Sequence, residues 1–402
     1  MWYLAHGLFR RAFLPSINAY KPDVVHGHDG LALPLTIYAA QANNAHSVFD
    51  SHELETHRNH PLIWAMSPRI KVLERRFLPR TDAVLTVSTT IAEHLEECYG
   101  IPRPTVLYNA PPLAPAPLPE RWQTSRPRST VRQEAGVSTR ALLLVYTGNI
   151  AAGRGIEQTL QHLAALRPSA RKIHLSLVGS VNPAFRAQLE AKTAQLGLSA
   201  FVRFHGSVPA SDVARFISDA DIAVLPILPS SRSHQYAMPN KLFEALQANL
   251  PILGTELVEM SAFLKTHRLG VSYNPFSADS FGAALEQILQ DREPTSARRA
   301  RAMKVAQEYS WEVQGDKLCA VYESLVPEPE KNRIAMIVPN PCDPDYRVVK
   351  QAQTLVQAGY QVRVFCTRPS GSDLPSFEIV NGVEYTRLDW STRAIITLRW
   401  LR

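Results

Sequence analysis

Short runs of aliphatic and β-branched residues recur along the chain, and the segments between them carry apolar positions at helical spacing. That alternation predicts parallel sheets covered by helices. From Asp23 onward the runs DVVH, SVFD, DAVLTVS and TVLYN are separated by segments such as IKVLERRFLP and TIAEHLEECYG. APPLAPAPLPERWQTSRPRS, from Ala110 to Ser129, is proline-rich and reads as a linker. Beyond it LLLVYTG, HLSLVG, VRFHG, DIAVLP, PILGT and GVSY form a second alternating set of six strands, a full doubly wound domain.

The stretch from Arg333 to Cys366 reads RIAMIVPNPCDPDYRVVKQAQTLVQAGYQVRVFC. Strand, loop, amphipathic helix, strand is how an α/β domain usually begins, and here it follows everything else. Its helix would place Val348, Val349, Ala352, Leu355 and Val356 on one face, with Gly359 at the C-terminal position. Four strands make the first block a thin sheet; this segment and the GVEYTRLDW after it would complete that sheet through a right-handed crossover. The expected organisation is circularly permuted. Residues 1–112 with 332–402 would form one Rossmann-like domain, and 113–331, with the linker and a closing helix, the other.

Composition narrows the class. With 402 residues, 45% hydrophobic and 20% charged, the chain is that of an ordinary globular protein of two or three domains. No apolar run approaches the ~20 residues that span a bilayer, and MWYLAHGLFRRAF lacks the pattern of a secretory signal, so the cytoplasm is the expected compartment. Cys98, Cys319, Cys342 and Cys366 have no paired spacing, which suggests neither a disulfide framework nor a zinc site. A net charge of +7 and a pI near 9.2 admit anionic partners. The basic residues are dispersed among the α/β elements, which argues against nucleic acid, and PNPCDPDYR lacks the G-x-G-x-x-G of a nicotinamide enzyme.

Read from Arg333 to Arg402 and then from Met1 to about Leu325, nearly the whole chain resembles glycosyltransferase family 4. The pieces that carry the resemblance are PNPCDPDYRVVKQAQTLVQAGY, DVVHGHD, FDSHE, LERRFLPRTDAVLTVS, YTGNIAAGRG, LVGS, FHGSV, DIAVLP and PNKLFEALQANLPIL, in the family's order once the tail is moved. The resemblance implies an α/β fold of GT-B architecture, two facing Rossmann-like doubly wound domains, the acceptor domain having its first βαβ part at the C-terminus. It also implies metal-independent glycosyl transfer with retention, from a nucleoside-diphosphate sugar used as substrate, with no cofactor, to a glycan or lipid-linked acceptor.

Several residues are candidates for that chemistry. In GNIAAGRG, from Gly148 to Gly155, glycines permit close backbone approach and the following helix N-terminus favours phosphate. The resemblance assigns Arg154 to the donor diphosphate; Asn149 stands where the family often has a second basic residue. Pro239 begins a helix that holds Lys241 near the positive end of its macrodipole, a poor place for a cation unless an anion shares the site. The resemblance gives the ribose to Glu244, and the transferred sugar to a position that is Tyr236 here rather than glutamate. Backbone at Val208, ending FHGSV, would meet the base. His52, in FDSHE, would hydrogen-bond the transferred sugar or assist at the reaction centre, and Asp345 and Arg347 would face the donor from the other domain.

The surrounding His26, His28, Asp29 and Glu53 admit a metal site by residue type only, and no metal is expected. A peripheral membrane contact would suit a lipid-linked acceptor, with Trp2, Phe9, Phe13 and Trp400 at the interface and Arg10, Arg11, Arg399 and Arg402 near headgroups. Ordinary helix packing explains those residues as well. Two other readings stand beside this one: a sugar-nucleotide epimerase of the same architecture, and a fragment of a tandem array that folds by exchanging its tail with a neighbour.

Overall fold

The computed structural model describes residues 2–58, 63–113, 129–166 and 172–389, so most of the proline-rich linker and the segment IITLRWLR lie outside the described residues. The chain divides into two compact units, Met1–Leu107 with Gln314–Arg402, and Tyr108–Val313. In chain order the strands are β1 (Val24–His28), β2 (His46–Ser51), β3 (Ala83–Thr86), β4 (Thr105–Val106), β5 (Leu142–Thr147), β6 (Ile173–Val178) and β7 (Val202–His205). They continue with β8 (Ile222–Leu225), β9 (Ile252–Thr255), β10 (Gly270–Tyr273), β11 (Arg333–Ile337), β12 (Gln361–Arg368), β13 (Phe377–Val380) and β14 (Val383–Asp389).

The second unit holds a parallel sheet in the order β7-β6-β5-β8-β9-β10. Counted from β5, this is third, second, first, fourth, fifth, sixth, the order of a doubly wound dinucleotide-type fold whose ligand crevice opens where the order reverses. That switch point lies at the carboxyl ends of β5 and β8.

The first unit repeats this order only if its count starts late in the chain. Its sheet runs β13-β14-β12-β11-β1-β2-β3-β4, parallel except for the β13–β14 pair. Counted from β11, with β12 second and β14 third, β1 to β3 become fourth to sixth. Strand β11 is therefore central. Ile334, Ala335, Met336 and Ile337 are fully buried between two parallel neighbours, as an uninterrupted apolar run requires. Its first residue is tied to the start of β1, where the Arg333 amide donates to Asp23 Oδ2 at 2.8 Å.

After β11 comes the helix Tyr346–Gln357. Asp345 caps it, accepting from the Val348 amide at 3.4 Å, and Gly359 at φ +100° lets the chain turn off its end. Val348, Val349, Ala352 and Leu355 are buried, the larger ones stabilising the packing by about 1.5–3 kcal/mol each. Arg347 and Gln351 are buried on the same helix. Arg347 donates from Nη2 to Asp50 Oδ1 at 2.7 Å and from Nε to Asp50 Oδ2 at 2.9 Å, while Gln351 Nε2 donates to Oδ2 at 2.7 Å. Asp50, at the end of β2, has no solvent exposure. This fork joins two positions at opposite ends of the sequence.

Three expectations need correction. Arg347 was expected in a loop facing the donor, but it lies within the first turn of the helix and its guanidinium is taken by Asp50 and by the Leu107 carbonyl at 3.3 Å. The helix Trp311–Leu325 was expected to close the second domain, yet from Gln314 onward it belongs to the first unit, because Leu318 and Tyr322 are fully buried there and the Tyr322 hydroxyl hydrogen-bonds His26 Nδ1 at 2.8 Å. Phe9 and Phe13 do not face a membrane: both are fully buried in the core of the first unit with Ile17, Val25 and Phe365. The side chain of Trp2, with Arg399, Trp400 and Arg402, falls outside the described residues. Strand β13 was not expected; Phe377 and Ile379 are exposed on it, so its pattern carries little sign of burial.

The Asp50–Arg347 fork gives a direct test. Arg347→Met leaves a buried carboxylate unpaired and should lower the stability of the first unit by about 3–5 kcal/mol in urea unfolding, with Asp50→Asn in addition recovering part of that loss. An Arg347→Met protein as stable as the parent would mean the pair does not hold the tail in place.

Candidate functional site

In the second unit the loop after β5 is built on glycine. Gly148, at φ +102°, follows Thr147 directly, and its amide donates to the Val178 carbonyl at 2.8 Å. A Cβ here would meet Lys241 Cε at 2.4 Å and Nζ at 2.7 Å and push that side chain aside, so glycine lets the ammonium lie against the backbone. Gly155, at φ +78°, comes so near the end of β8 that a Cβ would lie 1.7 Å from the Pro226 carbonyl oxygen. The loop thus spans the carboxyl ends of β5 and β8, the switch point of this sheet.

Lys241 is the second residue of the helix Asn240–Gln247, for which Pro239 is the N-cap. Its Nζ also sits 5.6 Å from the centre of the Tyr146 ring. Burial lowers the Lys241 pKa; Glu244 opposes the shift and Arg154 adds to it. Glu244 Oε2 accepts from Thr147 Oγ1 at 2.9 Å, so the carboxylate is held beside the same strand end. Tyr146 feels both Arg154 and Glu244, and burial raises its hydroxyl to about 12. Gly148, Arg154, Lys241 and Glu244 are thereby gathered into one cluster. Asn149 is exposed next to it, with Oδ1 accepting from Ser180 Oγ at 3.3 Å. Tyr236 ends the short helix Arg232–Gln235, and Val208 follows β7 partly buried against a core cluster.

In the first unit the chemistry collects at the carboxyl ends of β1 and β2. His52 stands just beyond β2, 17% exposed, with Nδ1 at 3.6 Å from Asp29 Oδ1 and Nε2 at 3.5 Å from Asp50 Oδ2. Burial works against its charge, but Asp29 and Asp50 outweigh it and raise its pKa above the ordinary value. Asp29 holds its place at φ +63°, an uncommon conformation for a residue with a side chain, and such outliers gather at functional sites. Arg58 donates to Asp29 Oδ1 at 3.1 Å and pairs with Glu53 at 2.9 Å. Asp345, near this sheet edge, receives the Asn340 amide at 2.8 Å as well as capping its helix.

His26, His28 and Asp50 place three potential ligand atoms within 4.8 Å, and both histidine Nε2 atoms are buried without a partner. The donor set nevertheless suits a different role. Burial would raise the Asp50 carboxyl, but Arg347 and His52 hold it well below its usual range, and both its oxygens are already bound by Arg347. The histidines are kept neutral by burial, His26 at about 4 and His28 lower than its ordinary value, and they stack at 4.2 Å. A metal bound by this group would share the Asp50 carboxylate with the guanidinium. Asp50, Arg58, Gln351 and Tyr322 were not among the sequence candidates. Asp50 had a signal, a carboxylate inside the buried run SVFD, which calls for a cationic partner somewhere in the chain.

Two family models match, one in each unit. "Glycosyltransferase Family 4" matches residues 3–113, and "Glycosyl transferases group 1" matches residues 141–291. Glycogen synthase of Mycobacterium tuberculosis is 25% identical over 80% of this chain and 75% of its own length. D-inositol 3-phosphate glycosyltransferase of Jonesia denitrificans is 23% identical over 80% and 76%. Among solved structures, sucrose-phosphate synthase from Thermosynechococcus elongatus superposes with a TM-score of 0.61 at 18% identity, over 80% of this chain and 79% of that one. HepE from Anabaena in complex with UDP gives 0.61 at 15% identity, over 77% and 81%. With a glycosyltransferase match on each unit and relatives across four fifths of its length, this chain is a glycosyltransferase of the GT-B fold.

Proposed function

We propose that the protein transfers a sugar, with retention at the anomeric carbon, from a nucleoside-diphosphate sugar to a glycan or lipid-linked acceptor. The observation that carries the donor reading is the seat of Lys241. Its ammonium is pressed against the Gly148 backbone at the switch point, with the charge of Arg154 acting against it, an arrangement that a bound anion would relieve. A diphosphate supplies that anion, Glu244 accepts from the ribose hydroxyls, and the Val208 backbone meets the base. The solved complex of HepE with UDP supports the same ligand class.

As the leaving diphosphate gains negative charge, Arg154 and Lys241 stabilise it in place, without a cofactor. His52, set between two carboxylates, hydrogen-bonds the transferred sugar. Asn149 and Tyr236, which depart from the family's usual residues, tune which sugar is accepted. Asp345 supports this edge of the first sheet. The histidine and Asp50 group serves as a scaffold for His52 rather than as a metal centre.

We further propose that the chain is a circular permutation of the usual arrangement. Both family matches stop before Arg333, and co-linear comparisons leave about a fifth of the chain uncovered. Moving the tail to the front gives the six parallel strands β14-β12-β11-β1-β2-β3 of the first sheet the order of the second, with β13 and β4 as additional edge strands.

Thermal unfolding with UDP, GDP, ADP and their sugars tests the donor reading. The true nucleotide at 100 times its Kd should add ~2.7 kcal/mol of stability, and Lys241→Met should weaken it by about tenfold or more by losing a charged hydrogen bond, with the unliganded Tm little changed. No shift with any nucleotide would refute the reading.

His52 gives a pH signature. Its imidazole should titrate above 6.5 in NMR, and Asp29→Asn should bring it down. Because the folded pKa is the higher one, the stability it contributes is full below 6.5 and is lost as pH rises through the folded value. The stability gap between parent and His52→Gln should shrink over that range. A titration at or below 6.5 would contradict the assignment.

A further inference from the structure

The second unit carries a cavity at the edge of its sheet opposite the Gly148 loop. It opens beside the amino ends of β9 and β10, with Pro251 and Gly270 in its wall, and holds about 650 Å³. That volume lies within the range of small-molecule sites. Three helices close around it: the end of Val258–His267, the second half of Ala278–Leu289 and the start of Thr295–Glu308. Leu264, Leu269 and Ile288 line it with buried apolar side chains.

Its charges come from all three helices. Lys265 and Arg268 stand at the end of the first, Glu286 and Asp291 at the end of the second, and Arg298 in the first turn of the third. Glu293 feels Arg268 and Arg298, but Arg301 binds both its oxygens through Nη1 and Nη2 and is the main reason its carboxyl lies below the usual range. One carboxylate is therefore shared among three guanidiniums, and its hydrogen bonds go to the one that does not line the cavity. The Nε of Arg298 is buried without a hydrogen-bond partner. Helix dipoles favour Lys265 and Arg268 where they stand, yet Arg268 takes φ +51°, which glycine or asparagine adopts at lower cost. Arg298 has no such support: it sits at the positive end of a helix whose first turn holds no acid and whose N-cap, Pro294, offers no side-chain acceptor.

We propose that this cavity binds a phosphorylated sugar, at a site separate from that of the donor. The phosphate takes the guanidiniums of Arg268 and Arg298, each able to offer two N–H groups in a fork, and the ammonium of Lys265. A ring of hydroxyls suits the other wall, where Glu286 and Asp291 accept and the amides of Gln287 and Gln290 both donate and accept. Asp291 has an oxygen to spare, since only its Oδ1 receives the Glu293 amide, at 3.0 Å. The same two carboxylates count against a bare inorganic anion, which they repel and to which they give no hydrogen bond. The sugar is what turns that wall to advantage. This inference stands apart from the donor assignment, because the cavity lies at the amino edge of a parallel sheet and the Gly148 loop at its carboxyl edge.

Calorimetric titration of the full chain with a panel of hexose and pentose phosphates, the matching free sugars and inorganic phosphate tests this. At least one sugar phosphate should bind about tenfold or more tightly than inorganic phosphate, and the free sugars should give no heat. Arg268→Asn, which suits the left-handed backbone, combined with Arg298→Gln should weaken that binding by on the order of 100-fold. Urea unfolding of the double variant separates loss of the site from loss of the fold. Arg298→Gln alone leaves the helix cap untouched, should cost about tenfold, and decides the matter if the double variant does not fold. Lys241→Met, at the other edge of the sheet, should bind the sugar phosphate as the parent does. No binding by any member of the panel, inorganic phosphate binding as tightly as every sugar phosphate, binding unchanged by the arginine substitutions, or binding lost in Lys241→Met would each overturn the proposal.

Discussion

The first unit depends on a buried carboxylate at the end of one strand and an arginine nearly three hundred residues further along the chain. Asp50 could not remain charged without exposure unless a cation and hydrogen-bond donors met both its oxygens. Arg347 and Gln351, one helical turn apart, supply them. The consequence reaches past local stability. A helix that must put two donors on Asp50 is fixed in rotation and height, and it fixes β11 between β12 and β1. The same carboxylate lies 3.5 Å from His52, so the group that fastens the tail also sets the charge of the candidate site residue.

The second unit obeys a different constraint, close approach of backbone. Gly148 and Gly155 stand where any side chain would collide with Lys241 or with the end of β8. Those contacts bring a lysine to a buried position where its charge is disfavoured. A cation held at a strand end, near an arginine and a glutamate, is an arrangement that makes sense with an anion present.

Much of this was readable beforehand. Six strands of the second sheet and the strand, helix and strand after Arg333 follow from buried apolar runs and a capped amphipathic helix, which are local signals. Gly148, Arg154, Lys241 and Glu244 were candidates because two short motifs carry them, and the fold brings them near one another. Arg347 was misread because a charge after a loop looks solvated, and its partner lies in a distant strand. The closing helix was misassigned for a related reason: nothing local in WEVQGDKLCAVYESL says that Tyr322 will meet His26. Phe9 and Phe13 looked like interfacial residues beside two arginines, but helical spacing puts the rings inward and the arginines outward. Burial of isolated charges and the sharing of one helix between units are tertiary facts, and spacing does not encode them.

The central claim is that the segment from Arg333 is the first part of the first unit's sheet, displaced in sequence but not in space. The direct measurement is to build the chain in the other order, from Arg333 through Arg402 into Met1 and on to Asn332, and compare it with the parent for oligomeric state and nucleotide affinity. The account predicts two monomers with the same nucleotide and Kd values within about threefold, because the contacts are the same and only one chain connection has moved. A reordered chain that fails to fold or that binds no nucleotide, while the parent is a segment-exchanged dimer that does, would contradict it.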